Sequence, residues 1–250
     1  MFDDFVVSAG GGRVGDRFDL PGHVKNPDYH FAFDDYGLLV ELKQVSAYRP
    51  ADTIDAWFNK LLRTGRIRPP IPPAGERLWI EPDSLSKADW AHFYGKFRPS
   101  VTKHLTRAAQ QLKQTDLRLP PPRVGPRLCG LLLINTGDYN LPLDLMFRLV
   151  EWRVKREWHR GQFSKLDFVT CLTVDFAPRA QQHPLQGRHI LRPSPHLLLG
   201  RAVWHLYDRW LHYFANAIGA TVELHPGPAG QDPPPDLTGA HSGKLRRLAD

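Results

Sequence analysis

Cysteine is scarce in this 250-residue chain: Cys129 and Cys171 are the only two, and both lie inside apolar runs. That excludes a disulfide framework and a Cys-x-x-Cys zinc knuckle, and it points to a reducing, cytoplasmic compartment. The opening Met-Phe-Asp-Asp-Phe is acidic and has neither the basic flank nor the long apolar stretch of a signal peptide, so secretion is not expected. Long uncharged apolar runs are also missing. The most apolar stretch, Leu197 to Ile218, carries Arg201, Asp208 and Arg209 at depths a bilayer penalises, so no membrane span is expected. There is no internal repeat. The cluster Gly10-Gly11-Gly12 with Gly15 lacks the Gly-Lys-Ser/Thr ending of a phosphate-binding loop, and no clear strand precedes it. It reads as a surface loop.

What the chain does have is a core and a positive charge. Hydrophobic residues make up 42%, which excludes a wholly disordered chain and is ample for one large domain. The 33 Lys and Arg against 26 Asp and Glu leave +7, a balance compatible with a polyanionic partner. Residues 1–224 read as a single domain interrupted by a Pro-rich insertion at about 46–99, where Pro69, Pro70, Pro72 and Pro73 break basic and aromatic stretches. Residues 225–250 turn Pro/Gly-rich and then basic, the composition of a loose tail.

Periodicity supplies the elements. Val101, Leu105, Ala108 and Leu112 predict a helix over 100–115, ended by Pro120-Pro121-Pro122. Leu128 to Asn135 has the length and continuity of a buried strand. A second amphipathic helix runs from Leu143 to Arg160 with Met146, Phe147, Val150, Val154 and Trp158 as its stripe. A strand over 168–176 and a long helix over 197–218 follow.

Near the N-terminus, alternation at Tyr29, Phe31 and Phe33, a turn at Asp34-Asp35-Tyr36-Gly37 and a return strand from Leu38 to Val45 predict a β-hairpin. A register that sets Phe33 opposite Leu38 sends Tyr29, Phe31, Phe33, Leu38, Val40 and Leu42 to one face, ready to join a core. The other face collects Asp28, His30, Glu41 and Lys43. Asp28 and Glu41 become diagonal neighbours with Cβ atoms roughly 7 Å apart, a spacing at which two carboxylates can share a cation. Oxygen ligands of this kind suit Mg²⁺, which keeps waters and also contacts substrate phosphate. Lys43 can then orient or deprotonate an attacking water and offset charge developing on the phosphate. The plainer alternative is a solvated face on which four polar residues pair.

Pro27-Asp28, a spacer and then Glu41-Leu42-Lys43 within an apolar strand resemble the PD-(D/E)XK signature of the restriction-endonuclease-like nucleases. The succession of hairpin, helix, apolar strand, helix and strand over roughly 24–176 is similar to that family's common core. The resemblance implies an α/β fold with a mixed central sheet flanked by helices and a metal-dependent nuclease activity, with Mg²⁺ as cofactor and Mn²⁺ able to substitute. It implies Asp28 and Glu41 as metal ligands and Asp28, Glu41, Lys43 and Gln111 as the catalytic set. Gln111 matches a Gln that many members carry on the helix after the Lys strand; on a helical wheel it shares a flank with His104 and Arg107, and its alternative is an ordinary exposed helix position.

Many members carry a further acid on an N-terminal helix; only Asp3, Asp4, Asp16 and Asp19 precede Pro27 here, and Asp4 is the nearest in kind. Arg148, Lys155 and Arg156, off the apolar stripe of the 143–160 helix, are candidate phosphate contacts, as are Arg63, Arg66 and Arg68; a solvated basic face is the alternative. The expected partner is nucleic acid, DNA before RNA, with a homo-oligomer or a partner protein left open. Restriction, repair and phage defence are the roles the resemblance brings with it. A catalytically inactive nucleic-acid-binding or assembly protein on the same fold is the runner-up, and a basic interaction protein with a chance motif the third.

Overall fold

A computed structural model of the chain describes residues 2–20, 27–45, 50–67, 86–122, 125–136, 141, 143–174, 185–193, 198–224 and 243–247. Its centre is a six-stranded mixed sheet in chain order. Three parallel strands, β3 (Gly37–Val45), β4 (Arg127–Asn135) and β5 (Phe168–Val174), form the middle. They are covered on both faces, which is why they read as near-continuous apolar runs and not as alternating ones. β1 (Gly11–Arg13) and β2 (Tyr29–Ala32) extend the sheet antiparallel beyond β3, and β6 (Leu185–Leu191) does so beyond β5.

Parallel neighbours need crossovers. α3 (Pro50–Arg63) and α4 (Lys87–Asp116) lie in the first, α5 (Leu143–His159) in the second. Leu105, Ala108 and Leu112 of α4 and Met146, Val150 and Val154 of α5 pack with Leu39, Leu131, Leu133 and Val169 into one core. On the opposite face, Phe5 of α1 (Phe2–Ser8) and Val203, Trp210 and Phe214 of α6 (Leu198–Ile218) pack with Phe31, Val40, Leu132 and Leu172 into a second. A separate ribbon pairs β7 (Ala220–Leu224) with β8 (Gly243–Arg247). None of the described helices is long and apolar enough to cross a membrane.

Several expectations need correction. The glycine cluster is no surface loop: Gly10 turns the chain at φ +77°, and Gly11–Arg13 pairs with β2 as an edge strand, followed by the short helix α2 (Val14–Arg17). Gly11 is required there because a Cβ would lie 2.7 Å from the Phe31 ring. The 46–99 segment holds α3 and the start of α4, while its prolines at 69, 70, 72 and 73 lie outside the described residues. α4 begins at Lys87, not at 100, since the Ser86 hydroxyl accepts from the Asp89 backbone N–H at 3.2 Å and donates to the Asp89 carboxylate at 2.6 Å. That reciprocal cap fixes the first turn. Pro99 inside the helix removes only the hydrogen bond to Gly95, and both residues are exposed, so water can satisfy the carbonyl. β6 was not anticipated, and at the C-terminus Gly243–Arg247 forms a strand where a tail was expected; 225–242 lie outside the described residues.

Candidate functional site

The hairpin forms with a register two residues from the expected one. Tyr29 faces Val40, His30 faces Leu39 and Phe31 faces Leu38. The turn spans 33–36, closed by the Phe33 N–H on the Tyr36 carbonyl at 2.9 Å, because Gly37 is drawn into the sheet by its N–H bond to the Pro126 carbonyl at 3.0 Å. A slip of two leaves every side chain on its expected face, where a slip of one would have inverted them all. Tyr29, Phe31, Leu38 and Val40 accordingly join the core under α1 and α6, and Leu39 and Val45 join the core under α4 and α5. Continuing the register by one residue sets Asp28 directly across from Glu41, closer than the diagonal expected.

The face carrying Glu41 is not solvated. Glu41 is completely buried and His30 nearly so, beneath α4 and α2. Asp28, at the mouth of β2, is half-buried, and its Oδ2 accepts from the Leu42 backbone N–H at 2.8 Å. This bond ties the Pro-Asp segment to β3 beside Glu41. Lys43, two residues on and partly exposed, forms an ion pair with Glu41 Oε1. Glu41 Oε2 makes no hydrogen bond of good geometry among the described residues, and the Asp28 backbone N–H beside the carboxylate adds only a weaker pull than Lys43. Burial and the neighbouring Asp28 charge push the Glu41 carboxyl up to about 7, against the opposing pull of Lys43. Lys43 is therefore the ammonium of the buried Glu41, while the half-buried Asp28 carboxylate faces Glu41 across the strand pair and bonds to the Leu42 amide.

Two histidines, from β2 and α4, lie near this group. His30 follows Asp28 on the same face of β2; burial, with Arg17 and Arg127, pushes it down to about 4, so it is neutral at physiological pH. Its ring meets Phe18 edge-on at 5.1 Å. His104 of α4 is half-buried and held below its ordinary value by burial and then by the charge of Lys43, which places it on the Lys43 side of the site. Gln111 is half-buried two turns further along α4. Asp4 does not share this face: α1 packs through Phe5 and Val6 into the core on the other side of the sheet, and Asp3 is engaged by Arg13 at 2.8 Å and Tyr29 at 2.9 Å.

The basic helix is partly self-neutralised. Lys155 pairs with Glu151 at 2.7 Å, and Arg156 with Glu157 at 3.0 Å; Arg148 is exposed. Arg66 pairs with Asp89 at 2.7 Å, and Arg68 lies outside the described residues. Sequence reading missed Trp152, which is half-exposed between Arg156 and Arg98 of α4. The signal was its position off the apolar stripe of α5, where a tryptophan is unusual.

A metal fits the donor set. A buried carboxylate oxygen without a hydrogen bond of good geometry and a second carboxylate opposite it leave room for a hard divalent ion, which needs only one or two protein carboxylates when substrate phosphate completes its shell. Among the described residues no group of three or more His, Cys, Asp or Glu converges as a cage. No protein-family model, curated protein or solved structure matches the chain.

Proposed function

We propose that the chain is a metal-dependent phosphodiester hydrolase acting on nucleic acid, built on a restriction-endonuclease-like core. The observation that carries this reading is a fully buried Glu41 on an apolar strand, faced by the second carboxylate of Asp28 and paired with Lys43, an arrangement that raises its carboxyl well above the ordinary range. The strand arrangement supports it: an antiparallel β1-β2-β3 unit, with Pro27-Asp28 leading into β2 and Glu41-Leu42-Lys43 within β3, joined through a helix to parallel β4.

Asp28 and Glu41 would hold Mg²⁺, with Mn²⁺ able to replace it. When bound, the ion supplies Lewis-acid stabilisation and lowers the pKa of an attacking water. The chain's own residues do the rest. Asp28 is fixed by its bond to the Leu42 amide, so its carboxylate needs no reordering. Lys43, released from Glu41 once that charge is otherwise satisfied, is free to reach a water or a phosphate oxygen and counter developing negative charge. His104 adds polarity on the Lys43 side, and Gln111 lies along the same helix.

The test is cleavage of single- and double-stranded DNA and RNA with Mg²⁺, with Mn²⁺ and with chelator. Glu41→Ala, Asp28→Ala and Lys43→Ala should each lose more than about 10²-fold in rate. Comparable cleavage by Glu41→Ala and the unmodified chain would refute the mechanism. Metal-saturable nucleic-acid binding without cleavage would leave the inactive-binder reading in its place.

A further inference from the structure

We propose that Trp152, with Arg98 and Arg156, is a stacking site for an unpaired nucleotide of a single-stranded polynucleotide. The inference rests on the nucleic-acid part of the functional reading and adds its substrate class. Trp152 projects from α5 at 50% exposure, one of few large apolar side chains left so open among the described residues. The Arg156 guanidinium, one helical turn along, lies 4.4 Å from the ring centroid, and that of Arg98, reaching over from α4, lies 5.1 Å away. Guanidiniums from two different helices thus meet on one half-exposed indole, whose ring already accepts planar cations. Glu157 is shared by Arg153 at 2.9 Å and Arg156 at 3.0 Å, and Glu151 is taken up by Lys155 at 2.7 Å. Arg98, Arg153, Lys155 and Arg156 against Glu151 and Glu157 leave the patch positive.

These features fit a nucleotide better than an acidic peptide. A nucleobase has the planar π-face that replaces a guanidinium on indole, whereas a carboxylate side chain gains nothing from the ring. The guanidinium displaced from the ring stays within reach of that nucleotide's own phosphate. A paired base inside a duplex has no free face to offer, so the site selects single strands. Position agrees: Arg98 lies six residues before His104, about 9 Å along the helix axis, and His104 is the α4 residue that feels Lys43. A strand anchored on Trp152 can therefore run to the carboxylates within a few nucleotides.

The experiment measures anisotropy of a labelled oligothymidylate of about 20 nucleotides, longer than the footprint of one such site, and of a blunt duplex of the same length. The full chain is used in chelator, so that no cleavage intervenes. Trp152→Ala should weaken oligothymidylate binding about tenfold and duplex binding less than about twofold, while Trp152→Phe keeps most of the affinity. Arg98→Gln with Arg156→Gln should flatten the salt dependence on single strands by about 1.4 log units per log salt, at about 0.7 per phosphate contact. Unchanged single-strand affinity in Trp152→Ala would overturn the proposal. So would equal losses on both substrates with no rescue by Phe, no oligothymidylate binding by the unmodified chain, or displacement by oligoglutamate as effective as by unlabelled oligothymidylate. The hydrolytic reading fails separately: Trp152-dependent binding in a chain that never cleaves refutes cleavage and leaves this site standing, while Glu41-dependent cleavage indifferent to Trp152 does the reverse.

Discussion

The buried Glu41 carboxyl should make the metal-free protein lose stability as pH rises, and the loss can be isolated. A carboxyl whose folded-state pKa is raised from 4.5 to about 7 binds its proton more tightly in the native state than in the unfolded chain. Below pH 4.5 both states are protonated and nothing is lost. Between pH 4.5 and 7 the unfolded chain releases the proton first, and stability falls; above 7 both states are ionised and the penalty is constant. At about 1.4 kcal/mol per pH unit the full penalty is about 3 kcal/mol. In a chain of this size that corresponds to roughly 6–10 °C in Tm.

Other groups mask this in the unmodified chain. Burial pushes His30 and His189 down to about 4, and a histidine with a depressed folded pKa contributes in the opposite direction, its stability lost as pH falls from about 6.5 towards 4. The informative quantity is therefore the difference in Tm between the unmodified chain and Glu41→Gln at each pH, in chelator. The new amide brings its own buried N–H groups, but that cost does not depend on pH and shifts the difference curve without tilting it. Glu41→Gln should gain on the unmodified chain steadily from pH 4.5 to 7 and then run parallel to it. Lys43→Met, which removes the one opposing cation, should extend the fall of stability beyond pH 7. Mg²⁺ at pH 8 should raise the Tm of the unmodified chain and leave that of Glu41→Gln where it was. A difference curve flat across this range would refute the claim that Glu41 is a strained, buried acid.

Two further outcomes follow from packing and pairing. Gly130→Ala should destabilise the chain by about 1–3 kcal/mol, measured by denaturant titration, because the added Cβ would sit 1.9 Å from the Phe168 ring; Phe168→Leu in the same chain should recover part of the loss. On single strands, Lys155→Gln should change the salt slope of binding little, since Lys155 has Glu151 to itself and does not touch the Trp152 ring, whereas Arg156, which shares Glu157 with Arg153 and lies on that ring, should on change to Gln flatten the slope by about 0.7; equal effects would return the α5 face to general electrostatics.

The parts legible in the sequence are those where one physical signal dominates. β4 was readable from Leu128 to Asn135 because a strand covered on both faces has no reason to alternate, and α5 and α6 were readable because their stripes exceed three turns. The facing of the hairpin survived an error of two in register because side chains repeat every second residue. Local rules misled where tertiary contacts override them. The apolar stripe from Val101 suggested a helix start at 100 and Gly10-Gly11-Gly12 a loop, yet Ser86 caps a helix that begins at Lys87 and runs through Pro99, and the glycines pair with β2 under the Phe31 ring. β6 lies beyond a stretch without strong alternation, and its pairing with β5 is a long-range property that no window of residues contains. For the site, the alternation of the hairpin put Asp28, Glu41 and Lys43 on one face, where the structure has them, but the burial of Glu41 depends on where α4 comes to rest.

That burial separates function from decoration. Position 41 sits between Leu39 and Val45 on a face that packs under α4, where alternation and burial together call for an apolar side chain. A leucine there would cost nothing to bury, whereas even a fully hydrogen-bonded Glu–Lys pair costs up to about 4 kcal/mol more than an apolar replacement. Instead the position carries a carboxylate with one oxygen lacking a hydrogen bond of good geometry among the described residues, faced by a second carboxylate that is itself pinned to the neighbouring backbone. The burial of the Glu41 carboxylate and the like charge opposite it raise the energy of the metal-free fold, and both would be relieved by one added cation between Asp28 and Glu41. Glu41→Leu should accordingly be more stable than the unmodified chain in chelator at pH 8, and the gap should shrink as Mg²⁺ is titrated in. If Glu41→Leu is instead the less stable of the two in chelator, Glu41 is holding the fold together through Lys43, and the site is an ion pair with no need of a metal.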